Sequence, residues 1–367
     1  MSNILVYGAN GYTGELIARE AVRRGLRPIL AGRNAVAVGR LAAELNCPSR
    51  SFALGSIQAT AQHLADVRVA LNCAGPFLAT AGPLIEMCLA SQVHYLDITG
   101  EIDVIEAAAQ MHERAVAAEI AIIPAVGFDV VPSDCLAAML AAALPSASHL
   151  QLAFTLGSIS RGTARTILQM LPQGGRARID GEIRHVPLAW KTLEIPFPAG
   201  KQCSATIPWG DVSSAYYSTG IPNIEVYVTM PERQIRQLRQ WQLLFPLLKF
   251  GPLRRMLERA IESCVSNPSA GQRERAKTIV WGRVSDATGR SVVATLLVPS
   301  AYKLTALAAT AAVERVLIGK VANGFSTPSR AFGKEFILEI PGTELIWDKQ
   351  QWSPQPADSD KPSRQQN

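Results

Sequence analysis

The feature that most limits the fold is a glycine-rich turn near the start of the chain. Residues 3–8 form an apolar run that predicts a buried strand, and Gly8, Gly11 and Gly14 follow before a helical pattern begins. Gly8 permits a tight turn, Gly11 lets the backbone approach a pyrophosphate, and Gly14 allows close helix–sheet packing. Because the helix N-terminus offers free N–H groups to phosphates, we prefer a dinucleotide site to a turn without a ligand. The residues predicted to contact the dinucleotide here are Gly8, Ala9, Asn10, Gly11, Tyr12, Thr13 and Gly14.

Short apolar strands alternate with amphipathic helices through the first third of the chain. This order predicts an α/β fold with a Rossmann-type, doubly wound parallel sheet. Ligands of such sheets bind outside the carboxyl ends of the strands. The further strands are predicted at 28–31, 67–72, 93–97 and 120–124, and the helices at about 35–45, 82–91 and 102–118.

The end of the second strand indicates which dinucleotide binds. NAD sites usually carry Asp or Glu there, which accepts hydrogen bonds from the ribose 2′-hydroxyl. This chain has Gly32, Arg33 and Asn34 instead. A guanidinium pairs with a 2′-phosphate and stacks on adenine. The sequence therefore predicts NADP(H) rather than NAD(H), and the alternative is that Arg33 is a solvated surface residue.

A run of small residues follows the strand at 67–72. Small side chains at the carboxyl end of a strand let the ribose and pyrophosphate pass close to the backbone. Cys73 has no basic neighbour in the sequence, so we interpret it as a packing residue rather than a nucleophile. The predicted cofactor contacts in this run are Asn72, Cys73, Ala74, Gly75 and Pro76.

After residue 130 the pattern changes to longer strands with alternating polar and apolar positions. Alternation of this kind predicts an antiparallel sheet with one covered face, in a second α+β domain that takes the substrate. The predicted division is a dinucleotide domain over 1–130, a substrate domain over 131–300, elements at 301–341 that return to the first domain, and a disordered tail at 350–367. Strands are expected at 149–156, 221–230, 276–285, 291–298 and 336–340, and helices at 160–171, 232–262 and 302–319.

Composition excludes several classes of protein. Hydrophobic residues make up 48% and charged residues 18%, which argues against global disorder. The net charge of +6 is scattered, so it suits an anionic small molecule and not a nucleic acid. The cysteines form no Cys-x-x-Cys pair and the histidines are isolated, so we expect free thiols and no metal site. The early strand and the lack of a long apolar run predict a cytoplasmic protein.

Several segments match motifs of one enzyme family: 8–14, 31–33, 72–77, 95–101, 127–134 and 324–336. Together they resemble the saccharopine dehydrogenase-like oxidoreductases, in particular the short branch with bacterial trans-acting enoyl reductases. The resemblance implies a Rossmann domain that binds NADP(H) and a second domain that closes over the nicotinamide. Ser300-Ala301-Tyr302 departs from the family's Asp-Gly-Tyr-Thr-like stretch, which weakens a substrate-binding role for Tyr302.

Three acids are candidates for the catalytic group. Asp97 ends the strand predicted at 93–97 and Glu101 begins its helix, and Asp129 follows the strand predicted at 120–124. Hydride transfer needs orientation, a dry pocket and a proton source, which one of these carboxyls can supply. The alternatives are that Asp97 caps a turn and that Glu101 stabilises a helix N-terminus. No tyrosine has a lysine four residues later, which disfavours the short-chain dehydrogenase mechanism.

These observations predict an NADP(H)-dependent oxidoreductase that reduces a C=C or C=N bond of a small, partly hydrophobic substrate between two domains. One alternative is a saccharopine-type dehydrogenase, which needs a converging arginine set. A non-catalytic dinucleotide-binding protein is a second alternative, and a membrane-surface accessory protein is a third. Residues 241–255 are apolar with a basic flank. Such a segment can make weak contact with a membrane surface or bind an acyl chain. We prefer a third interpretation, in which it packs in the core or at a homodimer interface. The arginines available to a saccharopine-type site are Arg161, Arg165, Arg176 and Arg178.

Overall fold

The computed structural model describes residues 4–55, 61–155, 157, 159–197 and 200–348. The tail predicted at 350–367 lies outside these residues. The strands are β1 (Ile4–Tyr7), β2 (Ile29–Gly32), β3 (Ser49–Ser51), β4 (Val69–Asn72), β5 (His94–Asp97), β6 (Ala121–Ile123), β7 (His149–Phe154), β8 (Gly175–Ile179), β9 (Glu182–Val186), β10 (Thr192–Phe197), β11 (Gly200–Thr206), β12 (Asn223–Thr229), β13 (Lys277–Ser285), β14 (Ser291–Pro299), β15 (Gly324–Phe325) and β16 (Glu344–Asp348).

The α-helices alternate with the strands in the first third of the chain and connect or cover them later. They are α1 (Tyr12–Arg23), α2 (Ala35–Leu45), α3 (Phe77–Ser91), α4 (Ile102–Ala109), α5 (His112–Ala117), α6 (Val131–Ala143), α7 (Arg161–Met170), α8 (Asp211–Thr219), α9 (Glu232–Trp241), α10 (Gly251–Cys264), α11 (Ala270–Arg275), α12 (Ala301–Leu317) and α13 (Pro328–Phe332).

The first sheet contains seven described strands, all parallel, in the order β15-β6-β5-β4-β1-β2-β3. Strands 3-2-1-4-5-6 in this order form a doubly wound dinucleotide-binding sheet. Every residue of β1, β2 and β4 is buried, because helices cover both faces of a parallel sheet. The predicted α/β class and Rossmann-type sheet are therefore confirmed.

The second sheet has nine described strands, of which seven follow the order β10-β11-β12-β7-β13-β14-β16. Strand β8 pairs with β12 and with β9. The prediction of an antiparallel sheet holds for most pairs, but β7 and β12 run parallel. A long excursion through α7 and the hairpin strands β8–β11 separates these two strands, which gives the chain room for a crossover.

Three predicted elements differ from the structure. The helix expected at 102–118 is two helices, α4 and α5. The helix expected at 232–262 is interrupted by a 3-10 turn, Phe245–Lys249, which contains Pro246. The strand expected at 336–340 is a 3-10 turn, Phe336–Glu339, whose first two side chains are buried and whose last two are exposed. Burial in consecutive pairs is incompatible with the alternation of a strand.

The late helix α12 packs against α1 of the first sheet. Arg24 Nη1 pairs with Glu314 at 2.9 Å, and Arg24 Nη2 donates to the carbonyl of Leu307 at 3.3 Å. Helix α6 packs on β13 and β14 of the second sheet. One continuous apolar core therefore joins the two sheets and fixes the cleft between them.

Candidate cofactor and active site

A cavity of about 1030 Å³ lies at the carboxyl ends of the parallel strands, between the two sheets. The residues that follow β1, β2, β4, β5 and β6 form one wall. The other wall comes from the end of β7, helix α7, Trp209 and the segments 267–273 and 300–305. The position is the one at which doubly wound sheets bind ligands, and the volume is sufficient for a dinucleotide with a substrate.

The glycine turn has the geometry that a pyrophosphate requires. Gly8 has φ +82°, and a Cβ added there would lie 2.7 Å from the backbone nitrogen of Ala74. A Cβ on Gly14 would lie 2.3 Å from the carbonyl oxygen of Gly8, so α1 packs too closely for any side chain. No side chain caps the N-terminus of α1. Its first N–H groups therefore face the cavity beside Asn10, Gly11, Tyr12 and Thr13, where a phosphate fits.

Arg33 lies at the end of β2, where an NAD site would carry an acid. Its side chain is exposed on the cavity wall, and it makes no hydrogen bond or ion pair with the described residues. Gly32 lies close behind it: an added Cβ would lie 2.9 Å from Asn10 Oδ1, so that side chain would have to move. Asn34 lines the cavity but also accepts the N–H of Ala37 at 3.0 Å, which caps α2.

The run after β4 forms the cavity floor. Cys73, Ala74, Gly75 and Pro76 line it, whereas Asn72 is buried behind them. Asn72 Oδ1 accepts the N–H of Ala74 at 3.0 Å. Burial raises the pKa of the Cys73 thiol far above its usual range, which is consistent with a packing role.

Three of the predicted cofactor contacts do not themselves line the cavity. Ala9 and Gly14 support the glycine turn from behind, and Asn72 orders the run after β4. The predicted contacts that do line the cavity are Gly8, Asn10, Gly11, Tyr12, Thr13, Gly32, Arg33, Asn34, Cys73, Ala74, Gly75 and Pro76.

Asp97 is buried in the core below the cavity and does not line it. Its carboxylate accepts the N–H groups of Thr99 at 3.0 Å and Ala125 at 2.7 Å, and the hydroxyl of Tyr95 at 2.8 Å. Burial raises the pKa of Asp97 to about 6 despite these bonds. Ala125 has φ +60°, an uncommon conformation for a residue with a Cβ, so Asp97 holds the loop after β6 in place.

Glu101 lines the cavity, but both of its carboxylate oxygens are engaged. They accept the N–H groups of Phe77 and Leu78, each at 3.0 Å, at the start of α3. Burial raises the pKa of Glu101. Glu101 therefore caps a helix that belongs to a neighbouring segment, and it fixes the run after β4 at the cavity floor.

Asp129 presents its carboxyl to the cavity without a hydrogen-bond partner among the described residues. Burial, and secondarily the charge of Glu101, raises the pKa of Asp129 to about 7. The backbone here is fixed from two sides: Trp209 Nε1 donates to the carbonyl of Asp129 at 2.6 Å, and Phe128 N donates to Thr305 Oγ1 at 3.0 Å. A carboxyl of this kind holds a proton near neutral pH in a fixed position.

Residues from distant segments cover the glycine turn. Tyr12 donates to the carbonyl of Pro268 at 2.6 Å, accepts from Arg273 at 3.0 Å, and packs edge-on against Tyr302 with ring centroids 5.1 Å apart. Tyr302 accepts the N–H of Ser160 at 2.5 Å, before α7. Tyr302 therefore links Tyr12 of the glycine turn to the segment just before α7.

The sequence of the first sheet's domain matches a known family model. Residues 4–123 fit the description "saccharopine dehydrogenase NADP binding domain". The match covers less than half of the chain. The resemblance stated from the motifs is confirmed for this domain, and its cofactor is NADP.

Several known proteins are similar to this chain. It is 30% identical over 152 residues to saccharopine dehydrogenase-like oxidoreductase of Homo sapiens and 32% identical over 140 residues to the trans-acting enoyl reductase of Mycobacterium leprae. Each match covers 36% of this chain and 35% or 34% of the relative, so the chain spans about a third of the length of the curated relatives it matches. Apo saccharopine dehydrogenase (L-Glu forming) of Saccharomyces cerevisiae superposes with a TM-score of 0.63 at 12% identity, over 94% of this chain and 100% of that one. At that identity the likeness shows a shared fold.

Beyond the NADP-binding domain, one part of the cavity wall is aromatic. The rings of Phe128 and Phe154 meet edge to face at 6.0 Å, and Trp209 packs on Phe154 at 4.9 Å. Ile159 and Met170 continue this surface from the α7 side. Ser300 adds a buried hydroxyl that has no hydrogen-bond partner among the described residues and lies at the cavity wall.

Only two of the four arginines considered for a saccharopine-type site line the large cavity. Arg176 pairs with Asp103, and the buried Arg178 donates to the carbonyl of Val212 at 2.8 Å. Neither lines the large cavity, whereas Arg161 and Arg165 do. Arg161 Nε is bonded to the carbonyl of Val265 at 2.8 Å.

Sequence reasoning did not identify Trp209, Phe154 or Thr305 as site residues. Each comes from a segment with no motif of its own, and only the packing of the second sheet and α12 against the NADP-binding domain brings them to Asp129. The single local signal is Trp209 itself, an aromatic residue directly after a proline at the end of a strand.

Proposed function

We propose that this protein is an NADPH-dependent oxidoreductase that reduces a C=C bond next to a carbonyl in an apolar substrate. The observation that carries the proposal is Asp129. This acid has a pKa of about 7 and faces the same cavity as the glycine turn and Arg33. A fixed, protonated carboxyl beside a dinucleotide site is the proton source that a reductase needs.

Arg33 supports a preference for NADPH over NADH. It is the exposed cation at the end of β2, and no acid stands there to accept a ribose hydroxyl. A guanidinium that is not already paired binds a phosphate through charge-assisted hydrogen bonds. NADPH therefore gains a contact that NADH lacks.

The reaction adds one hydride and one proton across the double bond. NADPH supplies the hydride when it is bound. Asp129 gives its proton to the other atom of the double bond and becomes a carboxylate, which takes a new proton from solvent before the next turnover. The Trp209 and Thr305 contacts hold the backbone at Phe128 and Asp129, from which the carboxyl extends to the cavity.

The substrate class follows from the walls of the cavity. Phe128, Phe154 and Trp209 offer an apolar surface, and two of the four candidate arginines are engaged elsewhere. A substrate with several carboxylates needs converging cations, so the cavity suits an enoyl group better than a saccharopine-type imine. The name of the mycobacterial relative, trans-acting enoyl reductase, agrees with this choice.

The test is NADPH oxidation, measured by absorbance, with trans-2-enoyl thioesters of increasing chain length and with a glutamate–aldehyde mixture as the imine source. We expect turnover of the thioesters. Asp129→Asn should lower kcat by about 10²–10⁴-fold and leave NADPH affinity nearly unchanged, because the amide cannot supply the proton. Asp103→Asn is the matched control, since Asp103 pairs with Arg176 outside the large cavity.

Two outcomes would contradict the proposal. If Asp129→Asn turns over at the wild-type rate, the proton comes from another group. If the imine is reduced faster than every thioester, the assigned bond type is wrong. NADPH binding without turnover of any substrate would favour a non-catalytic dinucleotide-binding protein.

A further inference from the structure

Large apolar side chains are concentrated on one surface far from the glycine turn in sequence. Six of the thirteen exposed large hydrophobic residues in the described part of the chain fall within residues 241–256, whereas the other seven are scattered along it. We call these six the apolar patch. Its members and their exposed fractions are Trp241 59%, Leu243 84%, Leu244 58%, Leu247 58%, Phe250 65% and Met256 58%.

The patch is built by the end of α9, the 3-10 turn Phe245–Lys249 and the first part of α10. Ile235 and Leu248 are buried and anchor this segment to the fold. The core interpretation of residues 241–255 is therefore wrong, because most of their large side chains face solvent. Contiguous exposed apolar surface on a folded protein marks a binding site.

Basic residues flank the apolar patch. Residues 232–264 contain seven basic and three acidic residues, so this segment carries an excess of four positive charges in a chain of net charge +6. The side chains of Arg233, Arg236, Arg254, Arg255 and Arg259 are all exposed. Apolar and aromatic tips flanked by arginines match the interfacial region of a membrane with negatively charged headgroups.

We propose that the apolar patch docks this protein on the surface of an anionic lipid bilayer. A second copy of the chain is the less favourable occupant, because a twofold contact would bring two positively charged segments together. None of the helices described is long and apolar enough to span a bilayer. The geometry points to attachment at the surface, with Trp241 and Phe250 at headgroup depth and the arginines on lipid phosphates.

The segment that carries the apolar patch contacts a helix that lines the cavity. Helix α10 packs on α7, which lines the cavity, and Arg161 at the start of α7 is bonded to Val265 and Asn267 just after α10. If the proposed function holds, docking brings the cavity-lining helix next to the phase in which apolar substrates dissolve. The docking itself does not depend on that function.

The experiment is cosedimentation of the full chain with vesicles of equal parts phosphatidylcholine and phosphatidylglycerol, with pure phosphatidylcholine vesicles in parallel. We expect binding to the anionic vesicles that weakens with salt. The double variant Leu243→Asp, Leu247→Asp should bind at least about tenfold more weakly, because it loses two buried apolar contacts. Ile318→Asp, a substitution at a residue that is 64% exposed elsewhere, should bind like the wild type.

A second pair of substitutions tests the charge. Arg254→Gln with Arg255→Gln should reduce binding to anionic vesicles and make it less dependent on salt. NADPH affinity should stay the same in all these variants, which shows that they are folded and separates this test from that of the proposed function.

Three results would overturn the proposal. They are the absence of vesicle binding by the wild type, equal binding by the Leu243→Asp, Leu247→Asp variant, and equal binding to both kinds of vesicle. Light scattering tests the competing occupant, a second copy of the chain. The patch would be assigned to a dimer interface if the wild type is a dimer that does not bind vesicles and the same double substitution makes it a monomer.

Discussion

Replacing Asp129 with asparagine should change the stability of the protein in a pH-dependent way. Burial raises the pKa of Asp129 from 3.8 to about 7. The folded state therefore keeps a proton that the unfolded state releases between about pH 4 and pH 7. Across that range the wild type loses stability as the pH rises, and above the folded pKa the loss is complete.

The size of the effect follows from the shift. About three pKa units at 1.36 kcal/mol each give an upper limit near 4 kcal/mol. Solvent that reaches the carboxyl from the cavity lowers this, so we expect about 2–4 kcal/mol. Asparagine has no charge to bury, so Asp129→Asn should equal the wild type in stability near pH 4 and exceed it by this amount near pH 8.

The assay is urea unfolding followed by tryptophan fluorescence, at about pH 4.5 and about pH 8. Asp286→Asn is a control of opposite sign, because hydrogen bonds from Thr288, Ser146 and Arg290 lower the pKa of Asp286. That variant should be less stable than the wild type at neutral pH and approach it as the pH falls. A stability difference for Asp129→Asn that is the same at both pH values would refute the claim that burial raises the pKa of Asp129.

Two further predictions concern the glycine turn and the cysteines. Gly14→Ala should destabilise the protein by about 1–3 kcal/mol in urea unfolding, because the added Cβ would lie 2.3 Å from the Gly8 carbonyl oxygen. Gly39→Ala is the control: it has open space around the added Cβ and should be neutral or stabilising, so equal effects of the two substitutions would contradict this geometry. Iodoacetamide should label the exposed Cys264 much faster than the half-buried Cys73, whose thiol has a raised pKa, as read by mass spectrometry of peptides. Faster labelling of Cys73 would instead indicate an activated thiol.

The first sheet and its glycine turn could be predicted from sequence because their signals are local. A strand, a turn and a helix in succession determine what Gly8 and Gly14 must do, and Arg33 is identified by its place at a strand end. Asp129 could be proposed because it follows a strand whose carboxyl end faces ligands. The same rule did not separate Asp129 from Asp97, since both follow strands. Only the hydrogen bonds to Thr99, Ala125 and Tyr95 show that Asp97 supports a loop.

The second domain was harder to predict because its features depend on distant partners. In the sequence, Arg176 and Arg178 are candidates for binding a substrate carboxylate. In the structure they form ion pairs with Asp103 and Glu106, about seventy residues earlier. The strand expected at 336–340 has a suitable composition, yet its side chains are buried in consecutive pairs. The sequence pattern alone does not indicate such tertiary contacts.

The central claim is that the 2′-phosphate of NADPH binds Arg33 beside the glycine turn. The most direct measurement is calorimetric titration of the wild type and Arg33→Ala with NADPH and with NADH. We predict that the wild type binds NADPH more tightly, and that Arg33→Ala loses about 10- to 100-fold in NADPH affinity with little change for NADH. Tighter binding of NADH by the wild type, or equal losses for both dinucleotides in the variant, would contradict the account.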